Sequence, residues 1–114
     1  MTTLYGIPNC DTVKKARKWL EANGVDYTFH DFRGDGIDGE KISAWIGALG
    51  WETVINRRST SWKELSPEER ENMDAAGAVP AALARPTLIK RPVLEHDGGI
   101  WVGFAPADYE AIFG

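Results

Sequence analysis

Thr3-Leu4-Tyr5-Gly6-Ile7-Pro8-Asn9-Cys10-Asp11-Thr12-Val13-Lys14-Lys15-Ala16, residues 3–16, contains the change of period from which the rest of the chain can be read. Thr3 to Ile7 is short, apolar and β-compatible, and Pro8-Asn9 is a turn pair, so a strand is expected to end just before Cys10. From Thr12 onward Val13, Ala16, Trp19 and Leu20 recur at helical spacing, while Lys14, Lys15, Arg17 and Lys18 fill the other face. Gly24 marks the expected stop, because glycine tolerates the left-handed conformation that ends many helices. Val25, Tyr27 and Phe29 then alternate with Asp26, Thr28 and His30, which is the period of a strand. Strand, helix and strand in this order predict a βαβ unit, right-handed by the usual chirality rule.

Working outward, Ile42, Trp45, Ile46 and Leu49 form a helical stripe behind a predicted Asp38 cap, with Gly50 after it. Ser66-Pro67-Glu68-Glu69 has the form of a capping box with proline in the first turn, and that helix is expected to end at Ala75-Ala76-Gly77. Pro80 to Leu83 reads as one more short helix before Pro86. Two strands, Pro92-Val93-Leu94-Glu95 and Ile100-Trp101-Val102, flank the hairpin turn Asp97-Gly98. Pro106 opens a last amphipathic helix carrying Tyr109, Ile112 and Phe113. The expected architecture is one α/β domain over residues 1–114. It runs β-α-β, a helical insertion over about residues 35–85, then β-β-α, giving a mixed sheet.

At 114 residues and 43% hydrophobic, the chain is long and apolar enough for a core, which excludes a disordered protein. No run approaches the roughly 18 apolar residues of a membrane span, and Met1 to Cys10 lacks the basic segment and apolar run of a secretion signal. A cytoplasmic monomer without membrane contact is the expectation. The net charge of -4 argues against direct nucleic-acid binding, which needs excess Lys and Arg. Cys10, His30 and His96 lack zinc-site spacing, so no metal is expected.

With one cysteine the chain cannot close an internal disulfide, which leaves Cys10 available for chemistry. Between a strand end and a helix start, Cys10 would meet unpaired amide N–H groups and the positive end of the helix dipole, a setting that favours a thiolate nucleophile. Asn9 and Thr12 add short polar groups able to donate to sulfur or oxygen, whereas Asp11 opposes ionisation. The competing reading is a small buried filler, since free cysteine is often buried. Cys10-Asp11-Thr12-Val13 is not C-x-x-C, so an external thiol would have to resolve a mixed disulfide. Lys14 and Lys15 are either anion attractors or a solvated helix face. His30 and His96 read as surface or structural groups, and Trp19, Trp45, Trp51, Trp62 and Trp101 as packing residues.

The string Tyr5 to Ala16, with Pro86-Thr87-Leu88-Ile89-Lys90-Arg91-Pro92-Val93 and Val102-Gly103-Phe104, resembles the arsenate reductase (ArsC)-related family, most of all its YffB-like branch next to the Spx regulators. The resemblance implies a thioredoxin-like fold with an inserted helical bundle, a cysteine nucleophile after the first strand, and glutathione or a similar small thiol as cosubstrate. It also implies that Arg91 and a cis-Pro92 stand beside the nucleophile. The position matching the first arginine of glutaredoxin-coupled arsenate reductases is Asn56, followed by Arg57 and Arg58, and Arg58 matches an arginine of the YffB and Spx branches. The third arginine's region reads Gly103-Phe104-Ala105 and holds no cation, so arsenate reduction is not expected. The leading expectation is a glutathione-dependent thiol reductase with Cys10 as nucleophile and Asn9, Thr12, Lys14, Arg58, Arg91 and Pro92 as the glutathione and substrate site. The alternatives are a noncatalytic, RNA polymerase-binding regulator like Spx and a glutaredoxin-coupled arsenate reductase.

Overall fold

Thr2–Gly6 forms β1, an inner strand of the sheet in a computed structural model that describes residues 1–114. Four of its five residues are buried, as expected for a strand covered on both faces. Thr28–Asp31 forms β2, which runs parallel to β1, and Val93–His96 forms β3, which lies antiparallel on its other side. Gly99–Val102 forms β4, the hairpin partner of β3, and the sheet order is β2-β1-β3-β4. The hairpin turn is Asp97-Gly98, with φ of 48° and 83°. Positive φ at both positions matches the twist of the flanking strands, which is why this dipeptide connects them.

Asp11–Ala22 forms α1, which buries Val13, Ala16 and Leu20. A Cβ on Gly6 would lie 2.7 Å from Val13 Cγ2, so glycine at this position lets the helix seat closely against β1. The helix closes in a Schellman pattern: Gly24, at φ 68°, donates its N–H to the Glu21 carbonyl, and Val25 donates to the Leu20 carbonyl at 3.0 Å. That last bond corrects the expected second strand. Val25 belongs to the helix end, so pairing with β1 begins only at Thr28, opposite Thr3.

The chain divides into two compact units, Met1–Gly36 with Arg91–Gly114, and Ile37–Lys90. The sheet unit has a core of Leu4, Ala16, Leu20, Leu94 and Tyr109, against which Trp19, Phe104 and Phe113 pack. Tyr109 comes from α7 (Pro106–Phe113), whose proline sits in the first turn. Trp101 departs from the expected packing role: on edge strand β4 it remains 36% exposed.

The helical unit contains α2 (Gly39–Leu49), α3 (Trp51–Val54), α4 (Thr60–Lys63), α5 (Pro67–Glu71), α6 (Ala75–Ala84) and a 3-10 turn at Pro86–Leu88. Asp38 caps α2 by accepting the Lys41 N–H, and α2 buries Ile42, Trp45 and Ile46. The Ser66–Glu69 capping box forms, but its helix stops at Glu71 and does not continue to Gly77. Asp74 accepts the Gly77 N–H at 2.6 Å and so starts a separate helix, α6, which carries Pro80 inside it. A ten-residue helix therefore replaces the short Pro80–Leu83 segment read from sequence.

Tyr109 is 1% exposed, and its hydroxyl has no hydrogen-bond partner in the protein. Burial pushes its pKa up, so the folded state holds the phenolic proton more tightly than the unfolded chain. This group does not weaken the fold below about pH 10; above it the unfolded state loses the proton first and stability falls as pH rises. Tyr109→Phe removes both an unpaired buried hydroxyl and this titration. The expected result is a fold more stable by about 1 kcal/mol near neutrality, with a smaller loss between about pH 9 and 11. Urea midpoints of the two proteins across that range check it, and a destabilised variant would contradict the assignment.

Candidate functional site

Cys10 is the N-cap of α1, with extended backbone at φ -86° and ψ 126°. Its N–H donates to the Ile7 carbonyl at 3.1 Å, closing the Pro8-Asn9 turn, and its carbonyl accepts the Lys14 N–H at 2.9 Å as the first helical bond. The side chain makes no capping hydrogen bond and the residue is half-buried. Cys10 is therefore not the buried filler that was the competing reading. The first-turn amides of a helix have no intrahelical acceptor, and Cys10 holds the N-cap position next to those of α1. Asp11, exposed in the same turn, is the one acidic group of that turn.

Strand register brings the second half of the site to the same edge. Tyr5 pairs with Val93, so where β1 runs out through Gly6 and Ile7, β3 begins just after Pro92. The Arg91-Pro92 bond is cis, Pro92 is buried, and its carbonyl accepts the Gly103 N–H at 2.8 Å. Phe32, just past β2, donates its N–H to the Gly6 carbonyl at 2.9 Å. One edge of the sheet thus carries the Cys10 turn, the Arg91-Pro92 step and the Gly103 bend. Arg91 is half-buried and forms no ion pair or hydrogen bond within the protein, so its guanidinium is free to meet an anion. Asn9 is exposed at the turn, Thr12 half-buried in the first helical turn, and Lys14 exposed in the next.

Arg58 lies in the helical unit. It follows the Ile55–Ile89 bridge and lines a groove with Asn56, Trp62 and Lys90. Lys90 and Trp62 were not singled out as binding residues from sequence; the run Lys90-Arg91 was the available signal for the first, and the second carried none. The histidines are engaged elsewhere. His96 Nδ1 lies 2.7 Å from Thr2 Oγ1 at the far end of β3, and His30 Nε2 lies 2.6 Å from the Gly36 carbonyl. Phe104, in the region that matches the third arginine of the arsenate reductases, packs edge-on against Tyr109 with ring centroids 4.7 Å apart.

A sequence model of the ArsC family matches residues 5–112. The solved structure of the YffB (PA3664) protein is similar to this chain at 45% identity, with a TM-score of 0.96 and all of both chains covered. An arsenate reductase (ArsC) related protein from Brucella melitensis is 51% identical, covers 98% of this chain and 93% of its own, and has a TM-score of 0.80. The global transcriptional regulator Spx of Streptococcus pyogenes is 26% identical over 91% of this chain and 78% of its own. With these relatives the mixed four-stranded sheet and its helices are a thioredoxin-like α/β fold.

Proposed function

This chain belongs to the ArsC family, and from that premise we propose that it is a glutathione-dependent thiol reductase whose nucleophile is Cys10. The observation that carries the reading is a half-buried, uncapped cysteine at the start of a twelve-residue helix, on the same sheet edge as an unpaired arginine and a cis-proline. Thiolate Cys10 attacks one sulfur of a disulfide, forming a mixed disulfide and releasing the other sulfur as a thiolate. Glutathione thiolate then attacks the substrate-side sulfur, restoring Cys10 and leaving a glutathione mixed disulfide. A second glutathione reduces that product, so two glutathione molecules are oxidised to one disulfide while two substrate thiols are formed. The external thiol is required because no second cysteine exists to resolve the adduct.

Arg91 and Lys14 orient the carboxylates of the peptide thiol in this reading, and the Asn9 and Thr12 side chains support the sulfur anion. The buried Pro92 lines the position where the incoming sulfur arrives. The test supplies the native protein with glutathione, a small dialkyl disulfide, glutathione reductase and NADPH. NADPH consumption proportional to protein concentration is expected, and a rate equal to the protein-free blank would overturn the proposal.

The likeness to Spx favours one further reading, a docking protein for RNA polymerase without turnover. Stoichiometric recovery of polymerase subunits on the immobilised chain, with no activity in the coupled assay, is the outcome that selects it.

A further inference from the structure

We propose that the helical unit carries a docking groove for an extended acidic peptide, centred on Arg58, Lys90 and Trp62. The groove has a volume of about 910 Å³ and is also lined by Thr53, Ile55 and Asn56. That is near the upper end of small-ligand sites, and well beyond what a single inorganic anion fills.

Its charge is unusual for this chain. Acidic residues outnumber basic ones, 17 to 13, so an exposed cation here has acids available to pair with. Arg57, also in the lining, does so: its Nη2 lies 3.5 Å from Oε2 of Glu52, the one acidic residue that lines the groove, and its guanidinium carbon lies 5.8 Å from the Trp51 ring centroid. Arg58 and Lys90 are exposed and have neither an ion pair nor a hydrogen bond from their side chains. Two unneutralised cations in one concavity create a local positive field on an otherwise acidic chain.

Both cations are mounted on ordered backbone. Ile55 bridges Ile89, the Lys90 N–H donates to the Val54 carbonyl at 2.8 Å, and the Asn56 N–H donates to the Leu88 carbonyl at 2.7 Å. Asn56 Oδ1 then accepts the Arg58 N–H at 3.0 Å, which fixes the turn carrying that arginine. Beside them the Trp62 ring stacks on Trp51, with centroids 6.3 Å apart and planes at 28°, and provides a flat apolar wall.

The ligand class follows from the energetics. An exposed cation gains about 1 kcal/mol or less from one anion, too little to retain phosphate or a lone carboxylate in an open groove. A peptide that spaces several carboxylates along its length and lays an apolar side chain on Trp62 combines those small gains with aromatic burial. Nucleic acid fits poorly, because two unpaired cations on a chain of net charge -4 neutralise few phosphates. The groove is lined by neither Cys10 nor Arg91 and shares only Arg58 with the residues read as the glutathione and substrate site, so loss of thiol chemistry and loss of peptide binding are separable.

The test is fluorescence anisotropy of a labelled peptide, four glutamates around one leucine, titrated with the intact protein at low salt. Saturable binding is expected, weakened about tenfold or more by the double charge reversal Arg58→Glu with Lys90→Glu. Binding should vanish when the glutamates are replaced by glutamines, and Cys10→Ser should bind as the native chain does. Equal affinity for the glutamine peptide, or for the double variant, would overturn the proposal. So would equal competition by a single-stranded oligonucleotide of the same charge, which would make the groove a general polyanion site. If the double variant does not fold, Lys90→Gln alone repeats the test and is expected to weaken binding about threefold.

Discussion

Cys10→Ser is expected to lower the glutathione-coupled rate by about 10³-fold or more, to the uncatalysed background, while leaving the fold intact. Serine keeps the size and the N-cap position, and its hydroxyl is a good helix cap, so the loss falls on chemistry and not on structure. A neutral hydroxyl, unlike a thiolate, does not attack a disulfide sulfur at neutral pH. In the native structure the sulfur forms no capping bond, whereas serine oxygen is expected to accept a first-turn N–H. The variant should therefore be slightly more stable than the native chain while being inactive, an opposition that a purely structural role for Cys10 does not produce. Urea midpoint and coupled rate, measured on the same preparation, check both halves. Retained turnover in the serine variant would remove Cys10 from the mechanism.

The same contrast between local and distant determinants explains how much of the molecule can be read from its residues. The Asp38 cap, the Ser66 capping box and the Asp97-Gly98 turn are each set by neighbours within a few positions, and each forms as read. The start of β2 was misplaced because alternation beginning at Val25 looks like a strand until Gly24 is placed in a Schellman turn, which takes the Val25 amide. Asp74 was overlooked as a cap because alanines follow it without an apolar stripe, and so the break between the two helices was read after Gly77 and not at Asp74. Four-residue helices such as α3 and α4 are too short to show a period.

In the candidate site, the placement of Cys10 was legible because strand, turn and helix follow one another directly. The position of Arg91-Pro92 was not, since it depends on β3 pairing with β1 across nearly the length of the chain. Only the family resemblance anticipated it. The groove in the helical unit has the same character: a single bridge, Ile55 to Ile89, places Lys90 and Asn56 on neighbouring backbone.

Leu94→Ala is the substitution expected to cost the fold most, about 3–5 kcal/mol. Leu94 is fully buried and pairs directly across the sheet with Leu4, also fully buried, in the cluster that holds Ala16, Leu20 and Tyr109. Truncation removes most of an apolar side chain from a site walled by an inner strand and two helices, and such walls close only partly over the cavity. Against the roughly 5–15 kcal/mol of a typical domain, this loss is from about a fifth of the stability to all of it. Trp101 provides the control, because it stands opposite the same residue on β4 yet is 36% exposed. Trp101→Ala, although it deletes a larger side chain, should cost less than Leu94→Ala, since about a third of the residue stays in water. Thermal and urea unfolding of the two variants side by side test whether burial or residue size governs. If the tryptophan variant proved the less stable, the sheet core would have to extend across β4, and Leu94 would not mark its centre.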